Sequence, residues 1–443
     1  MPLKRILIVL ACLVIPLFTG CELTFSSVDN LMKPPKLTEE QNRIDAALRD
    51  SVGDAINLVY PKTGDYKSAF IVENIDDEDS TEAIVFYKTN AGTGSVRMNI
   101  LDQQNGEWVS VWDNTTVNGT EIEKVSFIKT GGRVYLVLGV NVASASDKTL
   151  IIYEYAQRVL KQVFTTTCAN FAVYDLNDDG NEEIITLTHT MLSDTKKETT
   201  AQLYSLYQEE CRQLSQTRMD EEVSSYVNIF PGKLPDGTPA LFLDTQQGAD
   251  QYGTEILTAV NNRLQNPILM YGLKEKTYRY AGLSSMKGEN ESYLVPQTIT
   301  LPGYSEAAVA EQPYLINWYQ YDSKTQSLTA QDTTYTNYVL GYSFKIPEKW
   351  LDSGEGQITA KRNATNNELT FFIYHGDLKN EAETLLKIRP FSRSSLDQDT
   401  SLPYGYTMLG SNGQMVYAYN LKVTHSEFDL TPNEVQQLFS ILQ

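Results

Sequence analysis

One acidic loop of the chain carries side chains whose type and spacing suit a metal ion. Oxygen-bearing side chains stand at alternate positions from residue 175 onward, and Gly180 occupies the sixth position, where such a loop must turn sharply. Residue 181 offers its backbone carbonyl, and residue 183 can close the coordination shell. The candidate ligands are Asp175, Asn177, Asp179, Asn181 and Glu183. Because these are hard oxygen donors with no His or Cys among them, the pattern predicts a Ca²⁺ site.

This loop begins with the same residue pattern as an EF-hand. The residues that follow exclude an EF-hand. An EF-hand needs a bidentate Glu at position twelve and a helix after it. Here Thr186 stands at that position, and Ile184 to Thr188 alternates like a strand. The remaining alternative to a metal site is an acidic β-turn, whose Asp and Asn side chains cap their own backbone.

A second loop repeats the frame less completely. Its oxygen-bearing residues are Asn74, Asp76, Glu78 and Glu82, and Asp79 replaces the glycine. This loop is a weaker candidate for a cation, because aspartate adopts the left-handed backbone conformation at some cost. The corresponding turns at residues 129–132 and 234–238 lack the ligands and are expected to be plain turns.

The expected strength of calcium binding indicates a structural role for the ion. Extracellular calcium modules bind with dissociation constants on the order of 10⁻⁴ to 10⁻³ M. At ~2 mM calcium and a constant near ~0.1 mM, binding stabilises the fold by roughly 1.8 kcal/mol. That free energy is enough to rigidify one unit of the fold and too small to make folding depend on the metal.

The residue pattern does not predict an enzyme. The chain has three histidines, and none has the spacing of a metal site or of a nucleophile with its base. No G-x-S-x-G, H-E-x-x-H or phosphate-binding glycine motif occurs in it. A pair of carboxylates of the glycosidase type remains the catalytic alternative, because the sequence cannot reveal a pair that is assembled in space.

The elements that would position the loop recur along the chain. Five segments each read as two short apolar strands around a polar turn, and each is followed by a second hairpin. The first hairpins are Phe70–Tyr87, Val125–Val140, Phe171–His189, Tyr226–Thr245 and Tyr280–Leu301. Four antiparallel strands per unit predict a mainly β fold: a β-propeller of about five four-stranded blades over residues 61–335. A sixth blade completed by Ala55–Tyr60, a five-unit solenoid and a pair of sandwiches are the alternatives.

The loop at 175–183, followed directly by a strand, resembles the calcium loop of FG-GAP (VCBS-type) propeller repeats, which are integrin-alpha-like. The resemblance implies a propeller blade whose loop holds Ca²⁺ through the residues that match the motif. The alternating oxygen-bearing residues of the loop and the spacing of the repeats support the same interpretation without the resemblance.

The N-terminus predicts export and a lipid anchor. Lys4 and Arg5 precede an apolar run, Ile6 to Phe18, which is too short to span a bilayer. The segment that ends at Cys21 resembles the lipobox of bacterial lipoproteins, which implies a signal peptide over 1–20 and acylation of Cys21. The membrane is then one partner, reached through the lipid from the extracytoplasmic face. Residues 21–37 are expected to be a tether, and an N-terminal helix with a lead-in strand is expected over 38–60.

The last part of the chain, residues 336–443, predicts a small α+β domain. Its final helix starts with a capping box of Thr431 and Glu434, and its predicted apolar face runs through Val435 and Phe439 to Leu442. The opening strand, with Ile346-Pro347 and Trp350, is similar to that of the PsbP-type domains. This resemblance implies no activity.

Charge and cysteine content narrow the possible partners. A formal net charge of −20 argues against binding nucleic acid. Cys168 and Cys211 could pair in an exported protein, but their expected places in the repeat favour two free thiols.

From the N-terminus, the repeats and the charge, we expect an envelope lipoprotein that acts as a non-catalytic binding or scaffold protein for a protein or glycan. A glycan-active enzyme and an accessory subunit of an envelope assembly are the alternatives.

Overall fold

The computed structural model describes residues 37–442, except 77, 79, 90–93, 115–118, 143–146, 157, 194–195, 208–209, 281, 305–311, 352–356 and 397–401. The predicted signal peptide, the tether up to residue 36, Cys21 and Asp79 lie outside the described residues. The protein is mainly β, with several antiparallel sheets, which confirms the predicted fold class at that level. Among the described residues, no helix combines the length and the apolar character needed to cross a membrane.

The chain enters the sheets through helix α1 (Glu39–Val52), which begins as the sequence predicts. The Thr38 hydroxyl accepts from the Gln41 amide, and the Gln41 side chain accepts from the Thr38 amide. Ile44 and Leu48, on the inner face, are fully buried against the first sheet. Gly53, with a φ of 88°, ends the helix.

The first three sheets follow one another along the chain. The first contains β1 (Ile56–Leu58), β2 (Phe70–Glu73), β3 (Glu82–Thr89), β4 (Arg97–Gln104) and β5 (Glu107–Asn114). The second contains β6 (Glu121–Thr130), β7 (Arg133–Asn141), β8 (Lys148–Ala156) and β9 (Val159–Cys168). The third contains β10 (Asn170–Tyr174), β11 (Glu183–Ser193), β12 (Lys196–Tyr207) and β13 (Glu210–Arg218). Strand β1 pairs with β3 beside β2, so residues 56–58 belong to the first sheet.

The fourth sheet departs from the predicted repeat at its end. It contains β14 (Ser225–Lys233), β15 (Pro239–Gln247), β16 (Gln251–Val260), β17 (Arg263–Gln265) and, after helix α2 (Pro267–Met270), β18 (Arg279–Tyr280). The prediction of a hairpin over Tyr280–Leu301 is wrong in its first strand. Tyr280 pairs with Gln251 of β16, because the Arg279 guanidinium is bound within the fourth sheet to Asp244.

The fifth sheet runs across the position predicted as a domain boundary. It is formed by β19 (Met286–Lys287), β20 (Tyr293–Thr300), β21 (Tyr314–Asp322), β22 (Ser327–Asn337) and β23 (Tyr342–Lys345). After helix α3 (Glu348–Leu351), the sixth sheet contains β24 (Gln357–Arg362), β25 (Leu369–Tyr374), β26 (Thr384–Ser392), β27 (Thr407–Ser411) and β28 (Met415–Leu421). Helix α4 (Arg393–Leu396) connects β26 to β27. Helix α5 (Pro432–Leu438) leads directly into β29 (Phe439–Ile441), which pairs with β23 of the fifth sheet.

The capping box of α5 is confirmed, but the predicted length of this helix is wrong. Thr431 and Glu434 cap each other, and Val435 is fully buried. The helix ends at Leu438, because Phe439 pairs with Phe344 and packs on the rings of Tyr342 and Tyr417.

Apolar side chains between successive sheets form the core. Strands β3, β7 and β15 are buried almost continuously, whereas the residues of the last strands, β5, β9 and β13, are mostly exposed or half-buried. A strand that is buried on both faces reads as an unbroken apolar run, as Ala83–Tyr87 does. Separate clusters join the first sheet to the second, the second to the third, the third to the fourth and the fourth to the fifth.

Candidate metal centre

The predicted calcium loop connects two strands of the third sheet. The ladder between β10 and β11 closes with the pair Tyr174 and Glu183, so the intervening residues are free to fold back on themselves. Two of them have positive φ angles, 62° at Asp178 and 86° at Gly180. Glycine adopts this conformation without a steric penalty, which explains why the sharp turn falls at position 180.

Three of the predicted ligands converge on one point. Asp175, Asp179 and Glu183 each present a carboxylate oxygen, and these oxygens lie within 4.8 Å of one another. Within the described part of the chain, no other three His, Cys, Asp or Glu side chains come together in this way. Oxygens at this spacing can ligate one hard cation from several sides.

Glu183 is the buried member of the three. Only 1% of its surface is exposed, and its Oε2 accepts hydrogen bonds from the amides of Leu176 (3.0 Å) and Asn177 (3.4 Å). Burial raises the pKa of Glu183 to about 7, and the neighbouring Asp179 and Asp175 carboxylates add to this effect. A divalent cation would favour the charged form that burial disfavours.

The two aspartates are held by the backbone of the loop. The amides of Asp179 and Gly180 donate to the two oxygens of Asp175, at 3.1 and 2.9 Å. The Asn181 amide donates to Asp179 Oδ1 at 2.9 Å. Burial raises the pKa of Asp179, but hydrogen bonds from Asn181 and Asn177 outweigh it and leave the pKa below its ordinary value. These are the bonds of an acidic turn, the alternative to a metal site, and they also fix the carboxylates around one point.

The two amide side chains of the loop connect it to the neighbouring sheets. Asn177 Nδ2 donates to Asn262 Oδ1, at 2.7 Å, in the turn between β16 and β17 of the fourth sheet. Thr130 Oγ1, at the end of β6 in the second sheet, donates to Asn181 Oδ1 at 3.0 Å. Sequence reasoning missed both partners, which lie 85 and 51 residues from the amides they meet. The loop therefore lies at a junction of three successive sheets.

The weaker loop of the first sheet reproduces only part of this arrangement. Glu82 is fully buried, its Oε2 accepts from the Ile75 amide at 2.8 Å, and burial raises its pKa to about 7. The Glu78 amide donates to Asp76 Oδ1 at 2.9 Å, and Asn74 Nδ2 donates to the Glu78 carbonyl at 2.8 Å. The carboxylates described in this loop do not converge as those of the third sheet do.

A cleft of about 460 Å³ adjoins the calcium loop. Its wall includes residues of the loop, of β14 and β15, and of the start of the fifth sheet: Tyr174, Asp175, Asp178, Pro231, Gly232, Lys233, Pro239, Lys287 and Glu291. The Tyr174 hydroxyl donates to the Gly232 carbonyl at 2.9 Å and so joins the third sheet to the fourth. Lys233 Nζ lies 3.5 Å from Glu291 Oε2 and forms an ion pair with it. The cleft is therefore polar, carries both signs of charge and is within the size range of small-ligand sites.

Comparison with known proteins gives no family. No protein-family model matches the chain, and no curated protein matches it. Among solved structures, the rhamnogalacturonan lyase PL11 of Bacillus licheniformis is 9% identical, with a TM-score of 0.29 over 72% of this chain and 66% of that chain. The endo-arabinase of Bacteroides thetaiotaomicron is 10% identical, with a TM-score of 0.26 over 63% of this chain and 98% of that chain. The rhamnogalacturonan lyase YesW is 8% identical, with a TM-score of 0.30 over 86% of this chain and 94% of that chain. Likenesses this distant carry no argument about activity.

Proposed function

We propose that the chain is a lipid-anchored protein of the extracytoplasmic face of a membrane, a non-catalytic platform that binds a protein or a glycan. Its repeated sheets form a propeller of about five four-stranded blades with FG-GAP-type loops. A calcium ion in the loop of the third sheet stabilises the junction between neighbouring blades. The observation that carries the proposal is the convergence of Asp175, Asp179 and Glu183 within 4.8 Å, in a loop tied to the sheets on either side.

The role assigned to calcium is structural, because the loop connects parts of the fold. Asp175, Asp179 and Glu183 would hold the ion, with the Asn177 side chain and the Asn181 carbonyl as further ligands. The ion would bind the folded chain and not the unfolded one, so calcium raises the free energy of unfolding. The cleft beside the loop is the proposed contact surface for the partner, because it offers an aromatic ring, prolines and both charges at one place.

Calorimetric melting tests the calcium site. We expect calcium to raise the melting temperature of the protein by several degrees relative to chelator, and Asp175→Ala/Asp179→Ala to abolish this rise. Asp236→Ala is the matched control, since Asp236 caps a turn of the fourth sheet through the Thr238 amide at 3.0 Å and also accepts from the Ser323 hydroxyl of the fifth sheet, so it too connects a loop to a neighbouring sheet. The control should keep the full response to calcium. An unchanged melting temperature in the parent protein would leave the loop as an acidic turn.

Two further measurements test the proposed membrane anchoring and the proposed non-catalytic role. A lipid anchor predicts that the protein partitions into detergent and that Cys21→Ser moves it to the aqueous phase. A platform predicts that envelope polysaccharides or proteins bind without being cleaved, and that Lys233→Ala/Lys287→Ala weakens binding. Release of sugar products would favour the glycan-active alternative.

A further inference from the structure

Three tyrosines lie together where the fourth sheet meets the fifth. Tyr280 belongs to β18 of the fourth sheet and Tyr314 to β21 of the fifth, and their ring centroids are 6.4 Å apart at an interplanar angle of 71°. Tyr338 lies in the turn that follows β22. It is 55% exposed, whereas Tyr280 and Tyr314 are half-buried.

The strand register places hydroxyl groups beside these rings. Thr300 of β20 pairs with Tyr314 of β21. Ile316 pairs with Thr334 of β22, so Tyr314 and Thr336, each two residues away, lie on the same face of the sheet. A ring and two hydroxyl groups therefore share one face on three neighbouring strands.

Hydrogen bonds join these hydroxyl groups to their neighbours. The Tyr280 hydroxyl lies 3.3 Å from Thr300 Oγ1, and Thr336 Oγ1 lies 2.9 Å from Ser343 Oγ of β23. The outer ends of these side chains are half-buried, so they meet solvent at the edge of the sheet. We call this surface the tyrosine patch, and its members are Tyr280, Thr300, Tyr314, Thr336, Tyr338 and Ser343.

The tyrosine patch is uncharged, although the protein is strongly acidic. The formal net charge is −20, with 56 acidic and 36 basic residues, yet every member of the patch is a Tyr, Thr or Ser. Burial raises the pKa of Tyr314, and no charged group of the described residues contributes to this shift. Desolvation of its hydroxyl raises the pKa of Tyr338, and Tyr314 adds to the rise, so the two phenols are near each other. Further along the same face, Lys345 and Asp332 form an ion pair with each other.

We propose that the tyrosine patch binds an uncharged glycan. A sugar ring has C–H faces that pack against tyrosine rings, and its hydroxyl edges exchange hydrogen bonds with Thr, Ser and Tyr hydroxyls, which both donate and accept. An acidic glycan is disfavoured, because the patch has no ammonium or guanidinium group and the protein as a whole repels anions. The patch is separate from the cleft beside the calcium loop, so the proposal depends neither on that cleft nor on calcium.

Trp318 offers an internal reporter of binding. Its Nε1 donates to Thr334 Oγ1 at 3.0 Å, and Thr334 Oγ1 lies 3.1 Å from Thr336 Oγ1, which belongs to the patch. The indole is 4% exposed, so a ligand on the patch acts on it through these hydroxyls. We expect a bound glycan to change the tryptophan fluorescence, and Trp318→Phe to remove this change without removing the binding.

The test is affinity electrophoresis in native gels, followed by fluorescence titration. The probes are three neutral polysaccharides, a β-glucan, a galactomannan and a mannan, with alginate as the acidic comparison. We expect at least one neutral polysaccharide to retard the protein equally in calcium and in chelator, and alginate to leave its mobility unchanged. Tyr338→Ala should weaken binding at least fivefold, and Tyr314→Ala/Tyr338→Ala should abolish it.

Tyr60→Ala is the matched control. Tyr60 is 54% exposed, nearly the same as Tyr338, and it lies before the first hairpin of the first sheet, outside the patch. This variant should keep the full affinity. Because Tyr338 is an exposed residue of a turn, Tyr338→Ala decides the question even if the double variant does not fold.

Three results would overturn the proposal. An unchanged mobility in all three neutral polysaccharides would leave the patch as a contact for a protein or as a plain surface. Retardation by alginate alone would show that the protein recognises charge. Glycan binding that Tyr338→Ala keeps and Lys233→Ala/Lys287→Ala loses would place the glycan in the cleft, which supports the proposed platform and rejects the patch. The reverse pattern supports the patch, whatever the cleft binds.

Discussion

Glu82 and Glu183 occupy the same position in two different sheets. Each is the first residue of the second strand of its unit, and each is buried. Each accepts a hydrogen bond from the backbone amide seven residues earlier, Ile75 at 2.8 Å and Leu176 at 3.0 Å. In both loops, a buried carboxylate at the end of the loop therefore binds the backbone near its start. The two loops differ mainly in the side chains that surround this carboxylate.

The shared glutamate predicts a pH dependence that Glu82→Gln should reduce. The pKa of Glu82, about 7, lies above the ordinary value of 4.5, so the folded chain holds more protons than the unfolded chain between these pH values. The free energy of unfolding should then fall as the pH rises from 4.5 to 7, by an amount on the order of 1 kcal/mol from this group, and level off above pH 7. Glutamine is neutral at every pH and removes this part of the fall. Urea denaturation in chelator at pH 5 and pH 8 measures it, with the exposed Glu221→Gln as control. An equal loss of stability in all three proteins would contradict the assignment.

Asn262 should affect calcium affinity although it belongs to another sheet. Its side chain holds the amide of Asn177 at 2.7 Å, and groups that orient a metal ligand commonly change affinity by about 10- to 100-fold. We expect Asn262→Gly to weaken calcium binding about tenfold by calorimetric titration. Asn261→Gly is the matched control, since both residues have positive φ angles, 52° and 62°, and both substitutions relieve the same backbone constraint. Equal affinity in the two variants would show that the bridge to the fourth sheet does not position Asn177.

Local patterns predicted the starts of the first and last helices and the converging loop, because the causes of these features lie within a few residues. The capping boxes of Thr38 with Gln41 and Thr431 with Glu434 each join residues three apart, and both are confirmed. The carboxylates of the loop from Asp175 to Glu183 converge because its turn is built from its own backbone hydrogen bonds. Such features are readable from spacing alone.

Contacts between distant residues account for what the sequence did not predict. Phe439 continues the apolar face of the last helix, yet it forms a strand, because Phe344 lies beside it. Tyr280 reads as the start of a fifth hairpin, yet it belongs with Arg279 to the fourth sheet. Thr130 and Asn262 reach the loop from other sheets, and their own neighbourhoods carry no sign of it. These outcomes depend on partners that no local pattern specifies.

The two described cysteines should be unreactive while the protein is folded. Cys168 and Cys211 are free, Cys168 is buried and Cys211 half-buried, and burial raises the pKa of each thiol to about 12. The thiolate is the reactive form, so little of it exists at pH 8. We expect iodoacetamide to modify both residues at least tenfold faster in urea than in the native protein, as measured by mass spectrometry of their peptides. If neither thiol reacts in urea until a reductant is added, the two are paired in a disulfide.

The buried pair of Arg279 and Asp244 should be the most sensitive ion pair described in the fourth sheet. Both residues are 1% exposed, and Arg279 Nη2 lies 2.7 Å from Asp244 Oδ1. The guanidinium also donates to Thr254 Oγ1 at 2.9 Å, and Asp244 accepts from the Ser285 amide at 2.9 Å. Replacing one partner leaves the other charge buried, which commonly costs about 3–5 kcal/mol.

We therefore expect Arg279→Met to lower the free energy of unfolding by about 3–5 kcal/mol, measured by urea denaturation. Arg97→Met is the control, because Arg97 and Asp113 are also 2.7 Å apart but 28% and 27% exposed, so its loss should cost less than about 1 kcal/mol. Asp244→Leu/Arg279→Met should recover part of the lost stability, since it removes both charges. Equal losses from the two single substitutions would mean that water reaches the Arg279 pair. In that case the backbone pairing with β16 would hold β18 in the fourth sheet. The placement of Tyr280 outside the predicted fifth hairpin would then need a cause other than this ion pair.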